Sequence, residues 1–71
     1  MPLVHIQMAE GRTAEQKRAV MTAITDAMVE QLGAARDSVR VWITEFPDTD
    51  FMAAGEVLAD RRARIASDSE H

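Results

Sequence analysis

The sequence predicts an α/β fold: a single short β-α-β unit with parallel strands, assembling through its sheet into an oligomer. Three observations predict it. An alternating apolar run starts almost at the N-terminus, a capped segment of helical period follows, and a second alternating run comes after that.

In the first run, Leu3-Val4-His5-Ile6-Gln7-Met8, one side carries Val4, Ile6 and Met8 and the other Leu3, His5 and Gln7, which is the two-residue period of a strand. Glu10-Gly11-Arg12 breaks the alternation. Thr13-Ala14-Glu15-Gln16 then has the form of a capping box, with Thr13 as N-cap and Gln16 reaching back. A helix is predicted from Ala14, with apolar positions Ala19/Val20, Ala23/Ile24, Ala27/Met28 and Leu32 recurring at steps of three and four. Gly33 follows the last of these, where a left-handed cap is easiest for a residue without Cβ. Ser38 to Glu45 alternates again, with Val39, Val41 and Ile43 opposite Arg40, Trp42 and Thr44. A strand, a helix of about five turns and a second strand favour parallel pairing through a right-handed crossover. Phe46-Pro47-Asp48-Thr49-Asp50 reads as a turn. From Met52 to Ile65 a short strand and a last helical turn are expected, and Gly55 weakens both assignments. The domain is placed at residues 1–66, with a disordered tail over 67–71.

A chain of 71 residues buries only about 60% of the surface its unfolded form exposes. Disulfides, a metal or oligomerisation make up that deficit in small domains. The cysteine count is zero, and His5 and His71, the only histidines, stand near opposite ends without ligand-spaced partners. Oligomerisation remains, and one helix can cover only one face of the sheet, so the face carrying Leu3 and Trp42 needs a partner subunit. A net charge of −4 argues against nucleic acid, whose binding draws on a basic face. No apolar run approaches the roughly 20 residues of a spanning helix, and the N-terminus lacks the pattern of a signal peptide. A cytoplasmic protein without membrane or nucleic-acid partners is expected.

Pro2 directly after Met1, Glu10-Gly11-Arg12 with Glu15-Gln16-Lys17, Ser38-Val39-Arg40-Val41, Thr44-Glu45 and Phe51 together resemble the 4-oxalocrotonate tautomerase (2-hydroxymuconate tautomerase) family of the tautomerase superfamily. The resemblance spans Pro2 to about Glu56. It implies a homohexamer built as a trimer of dimers, with each site shared between subunits. It also implies keto–enol tautomerisation of a 2-hydroxydienoate dicarboxylate in aromatic-compound catabolism, without metal or organic cofactor. By the same resemblance Pro2 and Arg40 are catalytic, while Arg12 grips the distal carboxylate and Phe51 shields the pocket. The chemistry of these residue types agrees. Once Met1 is removed, proline presents a secondary amine held in a ring, and an ordinary α-amino group titrates near 7.7–8.0. A nearby guanidinium or an apolar pocket disfavours its cation, leaving a neutral base near pH 7. Arginine stays charged and grips carboxylates in a bidentate fork.

The sequence departs from the family pattern in places. Met52-Ala53-Ala54-Gly55 retains only Gly55 of a glycine-rich stretch, which puts in doubt a hairpin needing positive φ at several positions. Trp42 stands where an aliphatic residue is commoner, and Ala9 where a larger apolar residue is usual. His5 reads as an interface or surface residue. Arg61, Arg62 and Arg64 read as a solvated or inter-subunit charged face, with contact to substrate open to one of them. Two rival functions stand beside the tautomerase. One is a superfamily dehalogenase or hydratase of haloacrylate-like acids, for which Glu10 or Glu45 would have to activate water. The other is a catalytically silent oligomeric binding subunit.

Overall fold

The computed structural model describes residues 1–69. Strand β1 (Leu3–Ala9) runs into helix α1 (Ala14–Leu32), which returns the chain to strand β2 (Arg40–Phe46). β1 and β2 pair in parallel, in a register that sets Leu3 opposite Arg40, His5 opposite Trp42 and Ala9 opposite Phe46. The expected β-α-β unit is present, and β2 starts two residues later than the alternation suggested because Arg36–Ser38 forms a short 3-10 turn.

The local chemistry explains the helix limits. Thr13 Oγ1 accepts from the Gln16 amide at 3.1 Å while Gln16 Oε1 accepts from the Thr13 amide at 2.9 Å, closing the capping box, an arrangement worth about 1 kcal/mol. At the other end Gly33 sits at φ 67° and its amide donates to the Val29 carbonyl. Along β1 the half-buried residues include Val4, Ile6 and Met8, and along β2 they include Val41 and Ile43. These side chains face α1. Lys17 on α1 meets Glu45 of β2 at 2.8 Å, with both side chains about 27–28% exposed, and so ties the start of the helix to the end of the strand.

Beyond β2 the structure is more regular than the sequence reading anticipated. Asp48–Asp50 forms a second 3-10 turn, and Met52–Ala53 (β3) pairs antiparallel with Glu56–Val57 (β4). Their two-residue turn places Ala54 at φ 54° and Gly55 at φ 81°. The hairpin that the loss of glycines had put in doubt therefore forms, with alanine accepting a left-handed conformation that costs an L-residue about 1–2 kcal/mol. Helix α2 (Leu58–Ser69) then replaces the expected last turn. It continues through Ser67 and Asp68 to Ser69, past the tail boundary placed at residue 66; Glu70 and His71 lie outside the described residues. Alanine and arginine, both strong helix formers, fill most of its first turns. The Leu58 amide donates to the Phe51 carbonyl at 2.8 Å, and Arg62 Nη1 donates to the Glu10 carbonyl at 3.1 Å. These bonds fasten the start of α2 to the end of the sheet.

No described residue is fully buried. The accessible surface is 5406 Å², against about 4,400 Å² for a compact monomer of this mass. The radius of gyration is 16.2 Å, against about 11 Å for a compact chain of this length. The sheet face away from α1 stays open, with Leu3 63% and Trp42 45% exposed. On that face His5 stacks on Trp42 at 4.8 Å, and its Nε2 lies 2.7 Å from Thr44 Oγ1.

Candidate active site

The parallel sheet sorts the nominated residues by strand end. Pro2 precedes β1, and its carbonyl accepts from the Arg40 amide at 3.0 Å, so Pro2 and Arg40 share the N-terminal end of the sheet. Arg12 follows β1 and Phe51 follows β2, so both belong to the C-terminal end. There the Glu10 amide donates to the Phe46 carbonyl, and Phe51 stacks on Phe46 with ring centroids 5.4 Å apart. A seven-residue strand lies between, so the two groups stand on the order of 23 Å apart within one chain. The structure thus brings Pro2 near Arg40 and Arg12 to the same end as Phe51. It does not bring the four together in one subunit.

The charges at these positions differ in how they are satisfied. Lys17, Arg36, Arg62 and Arg64 each meet a carboxylate, respectively Glu45, Asp26, Asp48 and Glu56. Among the described residues no ion pair engages Arg12 or Arg40. Arg40 Nη1 donates to the carbonyls of Asp37 and Val39, which orient the guanidinium without neutralising it. Arg12 is exposed and borders a shallow depression with Met8, Gln16 and Val20. A cation fixed in direction but left uncompensated is suited to an anionic ligand.

The three arginines of α2, grouped as one charged face by the sequence, separate in the structure. Arg62 is spent on Glu10 and, at 3.4 Å, on Asp48. Arg64 makes a bidentate pair with Glu56, both contacts 3.1 Å. The Arg64 hydrogen bond holds the Glu56 carboxyl below its ordinary value, against a smaller desolvation effect, and the more distant Arg61 charge adds to the lowering. The same bond raises Arg64. Arg61 has no carboxylate partner among the described residues. Only side-chain positions could have separated these neighbours, because their spacing in sequence is the same for a solvated face.

A family model described as "Tautomerase enzyme" matches residues 2–61. The chain is 47% identical over 55 residues to a 2-hydroxymuconate tautomerase of Comamonas testosteroni, covering 78% of this chain and 87% of the relative. Among solved structures, one from work on the 4-oxalocrotonate tautomerase isozymes of Methylibium petroleiphilum superposes with a TM-score of 0.82 at 41% identity, covering 89% of this chain and 98% of that one. A heterohexameric 4-oxalocrotonate tautomerase from Chloroflexus aurantiacus J-10-fl gives 0.80 at 33% identity, with 84% and 97% covered. Coverage of nearly the whole of these small proteins, together with the shared β-α-β unit, leads to one conclusion: the chain belongs to the 4-oxalocrotonate tautomerase family of the tautomerase superfamily, and it is an isomerase.

Proposed function

We propose that this tautomerase acts on 2-hydroxymuconate or a close 2-hydroxydienoate dicarboxylate, as a homohexamer, with the Pro2 amine as general base once Met1 is removed. Met1 is 79% exposed, open to the processing that frees the amine. The neutral amine takes the proton of the 2-hydroxyl, and the O–H electron pair becomes the new C=O bond. The resulting ammonium then gives a proton to a carbon of the dienolate, so the base is restored and nothing is consumed. Arg40 meets the oxygen on which charge changes, and Arg12 holds the distal carboxylate. No cofactor enters these steps.

The observation that carries this reading is the pair of arginines, Arg12 and Arg40, left without carboxylate partners among the described residues at opposite ends of the sheet. A dicarboxylate offers two anionic groups, and oligomerisation is what brings opposite strand ends together. The open sheet face with Leu3 and Trp42 supplies the apolar surface for that assembly. A water-activating hydratase is less well served, since Glu45 is already paired with Lys17.

The test compares protein that retains Met1 with processed protein, the two forms distinguished by mass spectrometry, by following ketonisation of 2-hydroxymuconate in the ultraviolet. The form that keeps Met1 should be nearly inert, because its Pro2 nitrogen is an amide, and Pro2→Ala after processing should keep partial activity. For the processed enzyme kcat/KM should rise with pH as the amine loses its proton, where a hydratase needing the charged amine would fall. Equal rates for processed and unprocessed protein would refute the role of the amine.

A further inference from the structure

We propose that Arg61 is a further substrate-binding residue, which fixes specificity for dicarboxylates by holding the distal carboxylate in the hollow between the β3–β4 hairpin and α2. The inference rests on the tautomerase reading above and adds a residue to it. The hollow, of about 210 Å³, has Phe51 and Leu58 as apolar walls and Glu56, Arg61 and Arg64 as its charged groups. Both oxygens of Glu56 are taken by Arg64. Among the described residues, two guanidiniums against one carboxylate leave the hollow with one positive charge in excess, and Arg61 carries it.

The position suits the distal end of the substrate. Phe51 lies at the C-terminal end of the sheet, the end that also carries Arg12, while Pro2 and Arg40 lie at the other. A conjugated diacid whose reacting end meets Pro2 of one subunit can therefore lay its unsaturated chain against Phe51 of another and present its far carboxylate to Arg61. Bidentate guanidinium–carboxylate geometry suits that contact, and the apolar walls of Phe51 and Leu58 shield one side of it from water. Arg64 cannot substitute, because Glu56 already occupies its fork.

The experiment measures kcat and KM for the processed wild type, Arg61→Ala, Arg61→Lys and Arg18→Ala, on 2-hydroxymuconate and on a 2-hydroxydienoate lacking the distal carboxylate. Arg18 is also without a carboxylate partner among the described residues, but it lies on α1 outside the hollow, so Arg18→Ala should behave as wild type. Arg61→Ala should raise KM for the diacid about tenfold, the loss of one charge-assisted contact that is partly open to water. It should leave kcat within about twofold and the monoacid kinetics unchanged. Arg61→Lys should recover part of the diacid affinity. In the double variant with Arg12→Ala, the two effects should add to less than their sum, because both residues address one carboxylate. The proposal is overturned by an unchanged KM for the diacid, by equal losses on diacid and monoacid, or by a fall in assembly mass in light scattering, which would assign Arg61 to assembly. A wild type inert toward both acids would instead overturn the tautomerase reading itself, and the assignment of Arg61 with it.

Discussion

Replacing Ala54 by glycine should make the protein more stable, although glycine usually weakens a structure. Ala54 is the one described non-glycine residue with positive φ, at 54°, and it forms the two-residue turn of the β3–β4 hairpin with Gly55 at 81°. A left-handed conformation costs an L-residue about 1–2 kcal/mol through the approach of Cβ to the following carbonyl. Glycine removes that cost but adds about 0.4–1 kcal/mol of unfolded-chain entropy. The balance favours Ala54→Gly by about 0.5–1 kcal/mol per chain, which for a domain of this size raises Tm by about 2–8 °C. Ala53 precedes it in β3 without positive φ, so Ala53→Gly has no strain to relieve and should lower Tm by a similar amount. Thermal unfolding followed by circular dichroism reads both variants, at one fixed protein concentration because assembly makes Tm concentration-dependent. A fall in Tm for Ala54→Gly matching that for Ala53→Gly would refute the reasoning and imply a turn of another type.

Two further predictions concern the site and the assembly. Under the proposed mechanism Arg40 meets charge that changes during proton transfer and Arg12 holds the distal carboxylate, so Arg40→Ala should chiefly lower kcat and Arg12→Ala should chiefly raise KM, each loss being on the order of 2–4 kcal/mol. Steady-state kinetics on diacid and monoacid check this: the Arg12→Ala defect should shrink on the monoacid while the Arg40→Ala defect persists, and identical behaviour of the two variants would end the division of labour. Trp42→Glu places a charge on the open face that also carries Leu3 and should convert the proposed hexamer of roughly six times 7.9 kDa into smaller species with little activity, while Trp42→Phe should assemble. Light scattering at micromolar concentration decides it, and an intact, active hexamer for Trp42→Glu would show that this face is not an assembly surface.

The sequence by itself determined the β-α-β unit, because each of its signals is local. Alternation in Leu3 to Met8 and in Val39 to Ile43, the Thr13–Gln16 capping box and Gly33 at the helix end each act within a few residues, and each element appears where expected except that β2 begins at Arg40, after the 3-10 turn of Arg36–Ser38. It also determined which residue types are suited to the chemistry, since a penultimate proline and two spaced arginines carry their reactivity with them. The tertiary structure decided the rest. A hairpin with alanine at positive φ is not legible in Met52-Ala53-Ala54-Gly55, because its strain is offset by strand pairing and by the docking of α2, which depend on residues elsewhere in the chain. The length of α2 was hidden for a related reason: Gly55 and the polar end weakened its pattern, while the bonds from Arg62 to Glu10 and Asp48 that hold it cross from one element to another. The three-dimensional arrangement alone separates Arg61 from Arg62 and Arg64, because whether a guanidinium is free depends on which carboxylate lies within reach. The division of Pro2 and Arg40 from Arg12 and Phe51 between two strand ends likewise follows from parallel pairing, which sets the ends of a seven-residue strand apart, so that the proposed site requires the proposed assembly to reunite them.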